Sequence, residues 1–266
     1  MISAARVTEA NVEAVGTEEI LSALRRHGYA VARYPQRPEC ADDFILEVAR
    51  LLGELYIPVD CDPAAPLIRT APTRKRHAAP FDRPEPIGWH GDFATYEDRP
   101  ELSIVYITRP DPRGGDFGAW RLASVSDVIT ALHETADGRA AFDFLTSTSL
   151  PFSYSDDESP RQFVVFEARP DQRIGMRFYE PSIRRGCMAV HGGIPLQIAS
   201  ALAQVEAAAD RVARTVPTRE GSLLVTSNWF ALHDRNRQSI SRTRARREAL
   251  LCFVKRMRSS ANQHAG

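Results

Sequence analysis

The sequence predicts an α+β domain in which helices pack around a β-sandwich or barrel. Helix-like patterns open the chain, strand-like runs dominate from about residue 88 onward, and further helices are inserted among those strands. That order departs from the regular strand–helix alternation of a βαβ fold. The chain has 266 residues, above the prior of about 150 per domain, but single β-sandwiches and barrels reach this size. With 43% apolar and 26% charged residues it can bury a sizeable core.

The elements follow in order. TEEILSALRRHG reads as an amphipathic helix: Ile20, Leu21 and Leu24 share a face, Thr17 can cap the start and Gly28 can end it. YAVARY follows as a strand. ADDFILEVARLLGEL is a second helix, with Phe44, Val48, Leu51 and Leu52 at core spacing. Residues 57–88 are rich in Pro, Arg and Thr, and an irregular stretch of this length inside a compact domain often carries function. ELSIVYITRP is a strand and PDPRGGD a turn. SVSDVITALHE is a helix with Ser124 as N-cap and Asp127 at the third position. RQFVVFEA and IGMRFYE read as strands around an RPDQR turn. PLQIASALAQVEAAADRVAR is a helix with Pro195 near its first turn, and GSLLVTSNW and EALLCFVKRM are the last two strands. No internal repeat or low-complexity tail is present.

Bulk properties exclude several classes. Lys+Arg and Asp+Glu are both 34, so the formal net charge is zero, which argues against a dedicated nucleic-acid binder. Cys40, Cys61, Cys187 and Cys252 are scattered without zinc-ribbon spacing and are expected to be free thiols in a reducing compartment. The start of the chain has no apolar core of a signal peptide and carries Glu9 and Glu13. No apolar run approaches the length of a membrane span. The expectation is a soluble, cytoplasmic protein.

Chemistry concentrates around GWHGDFATYEDRP, residues 88–100. His90 and Asp92 stand two apart, so on a strand their side chains share a face. His27 and His133 fall late in helices, where a cationic side chain suits the helix dipole, and are read as structural. His264 is in the tail, and His77 and His191 are read as solvated loop residues. His233 differs, because it follows directly on the strand GSLLVTSNW. Two imidazoles and one carboxylate form the facial triad of non-haem Fe(II) oxygenases, which occupies one face of an octahedron and leaves three positions open. The HxD spacing alone is common by chance.

The run RNRQSISRTRARREALLCFV adds a second constellation: Arg235, Arg237, Arg242, Arg244, Arg246 and Arg247. Most are read as a solvated basic loop, and the run lacks the interleaved aromatics of a single-strand nucleic-acid binder. Strand alternation places Arg247 on the face of Ala249, Leu251 and Phe253, an apolar and inward one. A guanidinium there needs a partner, and a carboxylate bound through two hydrogen bonds is the natural one.

At these residues the sequence resembles a known family. GWHGDFATYEDRPELSIVYITRPDPRGGD is similar to the metal-binding segment of the taurine dioxygenase and clavaminate synthase-like family of Fe(II)- and 2-oxoglutarate-dependent oxygenases. NWFALHDRNRQSISRTRARREALLCFV resembles the distal histidine–arginine segment of the same family. The resemblance spans residues 85–130 and 220–255, with weaker similarity at LSALRRHGYAVAR and LLGELY. It implies a double-stranded β-helix, or jelly-roll, with flanking helices: a single domain over 1–266, its N-terminal α–β–α part at about 1–56 and its core at about 85–257. It implies His90, Asp92 and His233 as iron ligands, with 2-oxoglutarate and O2 as co-substrates. Arg247, 14 residues past the second histidine (247 − 233), has the clavaminate synthase-like spacing for the arginine that binds 2-oxoglutarate, and Arg244, 11 past (244 − 233), has the taurine dioxygenase-like one. The inward-face argument favours Arg247. Two positions depart from the family pattern: Phe117 stands where a threonine usually follows GGD, and Leu251 where a second arginine is often found. Arg177 and Tyr179, in GMRFYEPSIRRG, lie where the family often carries substrate contacts.

The function implied is hydroxylation of an unactivated C–H bond of a small molecule, an amino-acid-like compound or natural-product intermediate, free or held on a peptide or carrier, with release of succinate and CO2. Asp92 speaks against halogenating relatives, which lack the carboxylate. Two other readings use the same ligands: a redox-inactive metallo-jelly-roll, such as a zinc hydrolase or cupin-like isomerase, and a catalytically dead oxygenase-like binding domain. Arg69, Arg74, Lys75 and Arg76 in the 57–88 loop are read either as a lid over an anionic substrate or as solvated loop.

Overall fold

A computed structural model describes residues 16–34, 39–58, 62–63, 66–73, 79–114, 116–239 and 246–257. The readings placed on Arg74, Lys75, Arg76, His77, Cys61, Arg242, Arg244, His264, Glu9 and Glu13 lie outside these residues. The elements run α1 (Thr17–His27), β1 (Tyr29–Arg33), α2 (Ala41–Leu52), β2 (Gly53–Tyr56), β3 (Ile68–Thr70), β4 (Leu102–Arg109), β5 (Trp120–Ser124), α3 (Val125–His133), α4 (Ala136–Ser147), β6 (Leu150–Phe152), β7 (Arg161–Phe163), β8 (Phe166–Ala168), β9 (Ile174–Met176), α5 (Glu180–His191), α6 (Leu196–Val212), β10 (Arg214–Val216), β11 (Ser222–Ser227), β12 (Ala231–Arg235) and β13 (Glu248–Met257).

A six-stranded antiparallel sheet has the order β1-β11-β4-β13-β2, with β3 also paired to β13. A second, three-stranded sheet has the order β10-β5-β12, and β6-β7 and β8-β9 form two short ribbons. The architecture is α+β, a double-stranded β-helix with helices packed on it. Three apolar clusters hold the layers. Between the two sheets lie Ile107, Trp120, Leu122, Leu224 and Ala249. On the outer face of the large sheet, α1 and α2 bury Ile20, Leu24, Ile45 and Leu52 against Leu102, Ile104, Leu250 and Val254. Helices α3 to α6 form the third cluster with Trp89, Phe166, Phe178 and Leu232. Strand β13 is thus buried on both faces, which explains its continuous apolar run. Ala249 and Leu251 do share the inner face, as alternation requires.

Several local readings change. Helix α1 is capped by Gly16 rather than Thr17, and the Gly16 side has no side-chain cap. Helix α2 buries Ile45, Val48, Ala49 and Leu52, while Leu51 is exposed, because the helix turns its face one step from the expected stripe. GEL leaves the helix as part of β2. RQFVVFEA divides into two strands in different ribbons. IGMRFYE is a strand only to Met176, and Glu180–His191, unread from sequence, is helix α5 with Pro181 in its first turn and Gly192 closing it in the left-handed region, φ 70°. His191 therefore ends a helix rather than lying in a loop. Helix α4 and strands β5, β6, β10 and β12 were also unread.

Gly28 ties the N-terminal helix to the site strands. It sits at φ 76° and closes α1 by donating to the Leu24 carbonyl. Its own carbonyl accepts from the Ser227 amide at 2.7 Å. A Cβ there would fall 2.1 Å from the Phe230 carbonyl oxygen, so both torsion and packing demand glycine. Gly28→Ala is expected to destabilise the fold by at least ~2 kcal/mol, the left-handed penalty plus a backbone clash. Urea unfolding followed by circular dichroism checks this; an unchanged midpoint would contradict it.

Candidate metal centre

The site is built on backbone pairing. His90 and His233 form an isolated antiparallel bridge: the His90 amide donates to the His233 carbonyl at 3.0 Å and the His233 amide returns the bond at 2.9 Å. Residues directly opposite in an antiparallel pair present side chains to the same face. The two rings accordingly lie 4.2 Å apart between centroids. On its other edge His90 bridges Tyr179, whose ring is 5.7 Å from the His90 ring, and the Gly91 amide donates to the Phe178 carbonyl at 3.0 Å. His233, His90 and Tyr179 thus form a row across three chain segments.

Asp92 completes the cluster. Its carboxylate lies 3.5 Å from His90 Nε2 and 3.6 Å from His233 Nε2. Among the described residues, His90, Asp92 and His233 are the one group of three such side chains able to hold a metal ion, with ligand atoms all within 4.8 Å of one another. The chemistry of the donors fits a metal. His90 Nδ1 is 2.8 Å from the Gly88 carbonyl, so that nitrogen carries the proton and Nε2 presents its lone pair to the cluster. His233 Nδ1 is buried with no hydrogen-bond partner among the described residues. Burial, reinforced by His90, pushes His233 down to about 4, so it stays a neutral donor despite Asp92 and Asp234 nearby. Burial would lower His90 too, but the Asp92 carboxylate outweighs it and the net direction is upward. Burial would raise Asp92, but His233, His90 and the Ser103 hydroxyl hold its carboxyl well below the usual range. Two imidazoles and one carboxylate suit a divalent cation of the non-haem iron type.

The supporting residues are ones that motif reading missed. Asp234 is buried; its Oδ1 accepts from the amides of Ile87 (3.1 Å), Gly88 (3.0 Å) and Arg235 (2.7 Å), and its Oδ2 from Arg121 Nη1 (3.1 Å). One carboxylate flanking His233 therefore fixes the segment that delivers His90. Arg121 also pairs with Asp210, which accepts from Trp89 Nε1 at 2.8 Å. On the other side, the Ser103 hydroxyl lies 3.1 Å from Asn228 Oδ1 and also within reach of Asp92, with a single hydrogen to give to one of them, and Asn228 Nδ2 donates to the Pro100 carbonyl at 3.0 Å. Gly91, between the two ligands, packs so closely on Asn228 that a Cβ would stand 3.0 Å from its carbonyl oxygen. Phe93, next after Asp92, takes a left-handed conformation, φ 57°, and its ring meets Tyr56, Tyr96 and Phe253 edge-on. A non-glycine residue held there by three rings is the kind of strain that clusters at working sites. No spacing rule in the sequence pointed to Asp234, the variable position of the N…H-x-R pattern, whereas Asn228 is that pattern's first residue.

The arginines divide by what they bind. Arg177 is buried and donates Nη1 to the carbonyls of Ala94 (2.9 Å) and Tyr96 (2.6 Å), with its guanidinium 3.9 Å over the Phe163 ring. Its Nη1 holds the turn after Asp92, while its Nε has no partner among the described residues. Arg235 is spent likewise on the carbonyls of Arg83 (2.9 Å), Glu85 (3.0 Å) and Asn236 (3.0 Å). Arg69 pairs with Asp42 at the surface. Arg247 differs. It is buried, its Nη1 reaches only the Gln238 side-chain oxygen, at 3.3 Å, and its Nε has no partner among the described residues. Burial, with Arg235 adding to it, pushes Arg247 down to about 9. Gly118 packs on its stem: a Cβ there would lie 2.9 Å from Arg247 Cδ. Phe117, where a hydroxyl was expected, is half-buried under the Arg113 guanidinium at 4.4 Å. Buried Thr218 places a hydroxyl at this corner, where it donates to the Gly118 carbonyl at 3.3 Å. Leu251 packs in the inter-sheet core. Arg244 lies outside the described residues.

Comparison with known proteins places this arrangement. No curated protein sequence matches the chain. Solved structures do. A structure of asparagine oxygenase in complex with Fe(II), 2S,3S-3-hydroxyasparagine and succinate superposes with TM-score 0.71 at 17% identity, covering 90% of this chain and 78% of that one. The non-haem iron oxygenase OrfP, in complex with Fe and alpha-ketoglutaric acid, gives 0.65 at 17% identity, covering 90% and 79%. PvcB of Pseudomonas aeruginosa gives 0.66 at 17% identity, covering 91% and 80%. At such identities the likeness is one of fold. The family model described as "Taurine catabolism dioxygenase TauD, TfdA family" matches residues 2–252. The chain belongs to this TauD/TfdA family, as a non-haem Fe(II)- and 2-oxoglutarate-dependent dioxygenase.

Proposed function

We propose that His90, Asp92 and His233 hold the Fe(II), that Arg247 receives the distal carboxylate of 2-oxoglutarate, and that the enzyme hydroxylates a C–H bond of a small amino-acid-like molecule. The observation that carries this reading is a buried guanidinium with no carboxylate partner among the described residues, immediately before the strand whose Phe253 borders the aromatic wall beside Asp92. A buried cation left in this state calls for an anion from outside. A redox-inactive metal hydrolase has no use for it. When bound, Fe(II) supplies open coordination positions for 2-oxoglutarate and O2, and so the oxidising chemistry of the family.

The chain's own residues do the placing. The His90–Gly88 bond sets the tautomer. Asp234 sets the approach of residues 87–90, and Arg177 sets the turn that follows Asp92. Tyr179, in register with His90, is the proposed substrate-side contact. The rings of Phe93, Tyr56, Tyr96 and Phe253 form an apolar wall that limits water beside the ligands. The Asp92 side chain keeps 27% exposure, a path open to a substrate whether free or held on a peptide or carrier. The amino-acid class draws support from the two fold neighbours whose structures contain hydroxyasparagine and hydroxyarginine. We also propose that residues 1–266 act as one domain, since β1 and β2 of the N-terminal part pair with β11 and β13 of the core. No helix among the described residues is long and apolar enough to cross a membrane. The free thiols of Cys40, Cys187 and Cys252 support a cytoplasmic location.

Anaerobic addition of Fe(II) and 2-oxoglutarate is expected to produce a weak visible charge-transfer band. His90→Ala is expected to abolish it. Arg247→Ala is expected to keep Fe(II) binding but to raise the 2-oxoglutarate needed by about 30-fold or more, the loss of ~2 kcal/mol from one buried charge pair. Normal Fe(II) binding without any band in the wild type would sink the reading. Asp234→Ala, which strips three amides of their acceptor, is expected to weaken metal binding by about 10–100-fold, as loss of an outer partner of a ligand does. Calorimetric titration with Mn(II) measures this, and wild-type affinity in the variant would show that Asp234 does not position His90.

A further inference from the structure

We propose that Gln238 is a positioning residue for the co-substrate: it holds Arg247 through a neutral acceptor, so the guanidinium is oriented while its charge stays available to an incoming carboxylate. This rests on the co-substrate reading of Arg247 given above. The amide's orientation is fixed by chemistry. Gln238 Nε2 faces two carbonyl oxygens, of Arg83 at 3.0 Å and Phe81 at 3.3 Å, which can only accept. Its Oε1 therefore faces Arg247 Nη1, which can only donate. The side chain is buried, and its own amide donates to the Pro84 carbonyl at 2.8 Å, so it has little freedom to turn away.

The residue type matters because of charge. A glutamate would fill the same space and accept the same hydrogen bond, but it would neutralise Arg247 within the protein and meet the two carbonyls with a third acceptor. An amide satisfies one guanidinium hydrogen and adds no negative charge beside Arg247, where Asp111 is the described anion acting on it. The described groups acting on Arg247 by charge are Arg235, which repels it, and Asp111, whose oxygens are engaged by the Ser239 amide (2.7 Å) and hydroxyl (2.5 Å) and by the Arg113 amide (3.0 Å). The same Gln238 links Arg247 to the segment that leads into His90, so one side chain orients the co-substrate cation against the metal-bearing strand.

The test compares two 2-oxo acids on Mn(II)-loaded protein by calorimetry: 2-oxoglutarate and 2-oxobutyrate, which lacks the distal carboxylate. The wild type is expected to favour 2-oxoglutarate strongly. Gln238→Glu is expected to cut that preference by about tenfold or more, through weaker 2-oxoglutarate binding, with Mn(II) and 2-oxobutyrate affinities unchanged. Gln238→Met, which removes the acceptor without adding charge, is expected to cut it by only about two- to fivefold. A preference within about twofold of wild type in both variants would overturn the proposal, as would equal weakening of Mn(II) and both oxo acids, the mark of a merely structural residue. A wild type that binds the two oxo acids equally would overturn the co-substrate reading of Arg247, and this inference with it.

Discussion

The pair of backbone hydrogen bonds between His90 and His233 is the constraint on which the site depends. Two residues 143 apart in sequence (233 − 90) are held opposite each other, so their imidazoles must share a face. Everything nearby serves that bridge. β12 is held on β5, with His233 opposite Leu122 in the inter-sheet core. Asp234 pins the incoming strand by its amides, and Asn228 with Ser103 backs Asp92. The double-stranded β-helix thus acts as a frame that brings two segments from opposite ends of the core into a single ladder position. Tyr179 extends the row by one residue, which is why its side chain stands beside His90.

The second organising fact is how the protein handles buried cations. Arg99, Arg177 and Arg235 are buried and each donates to at least one backbone carbonyl; Arg99 and Arg177 also lie over aromatic rings. Each still keeps its Nε without a partner among the described residues, as Arg247 does. Arg247 differs in that its acceptor among the described residues is a side-chain amide, so it braces no backbone carbonyl.

Much of this was legible in the sequence, for definite reasons. The helices α1 and α6, the strands β1, β4, β11 and β13, and the cluster of His90, Asp92 and His233 all carry strong local patterns: apolar periodicity, capping residues, and ligand types at short spacing. Arg247 was singled out by strand alternation and by its spacing from His233; it is buried, although it precedes β13 and the register shifts between Glu248 and Ala249, so simple alternation does not account for its placement. Other parts failed because their causes are not local. β12 is five residues long and exists through pairing with β5, so ALHDR has no strand signature of its own. Helix α5 was hidden because YEPS reads as a strand broken by proline, although Pro181 lies in the first helical turn, where its missing N–H removes no intrahelical hydrogen bond. Arg177 looked like a substrate residue because it lies beside the site; its side chain turns instead to the carbonyls after Asp92. Gln238 and Asp234 carry no motif and become visible only through their partners.

The central claim is that one ladder position and the buried Arg247 guanidinium, which has no carboxylate partner among the described residues, together define the reaction centre. An anaerobic crystal structure with Fe(II) and 2-oxoglutarate, with iron located by anomalous scattering, tests it most directly. The account predicts a single iron bound by His90, Asp92 and His233, with the distal carboxylate of 2-oxoglutarate on Arg247. Iron held by other residues, or a 2-oxoglutarate carboxylate paired elsewhere, would contradict it.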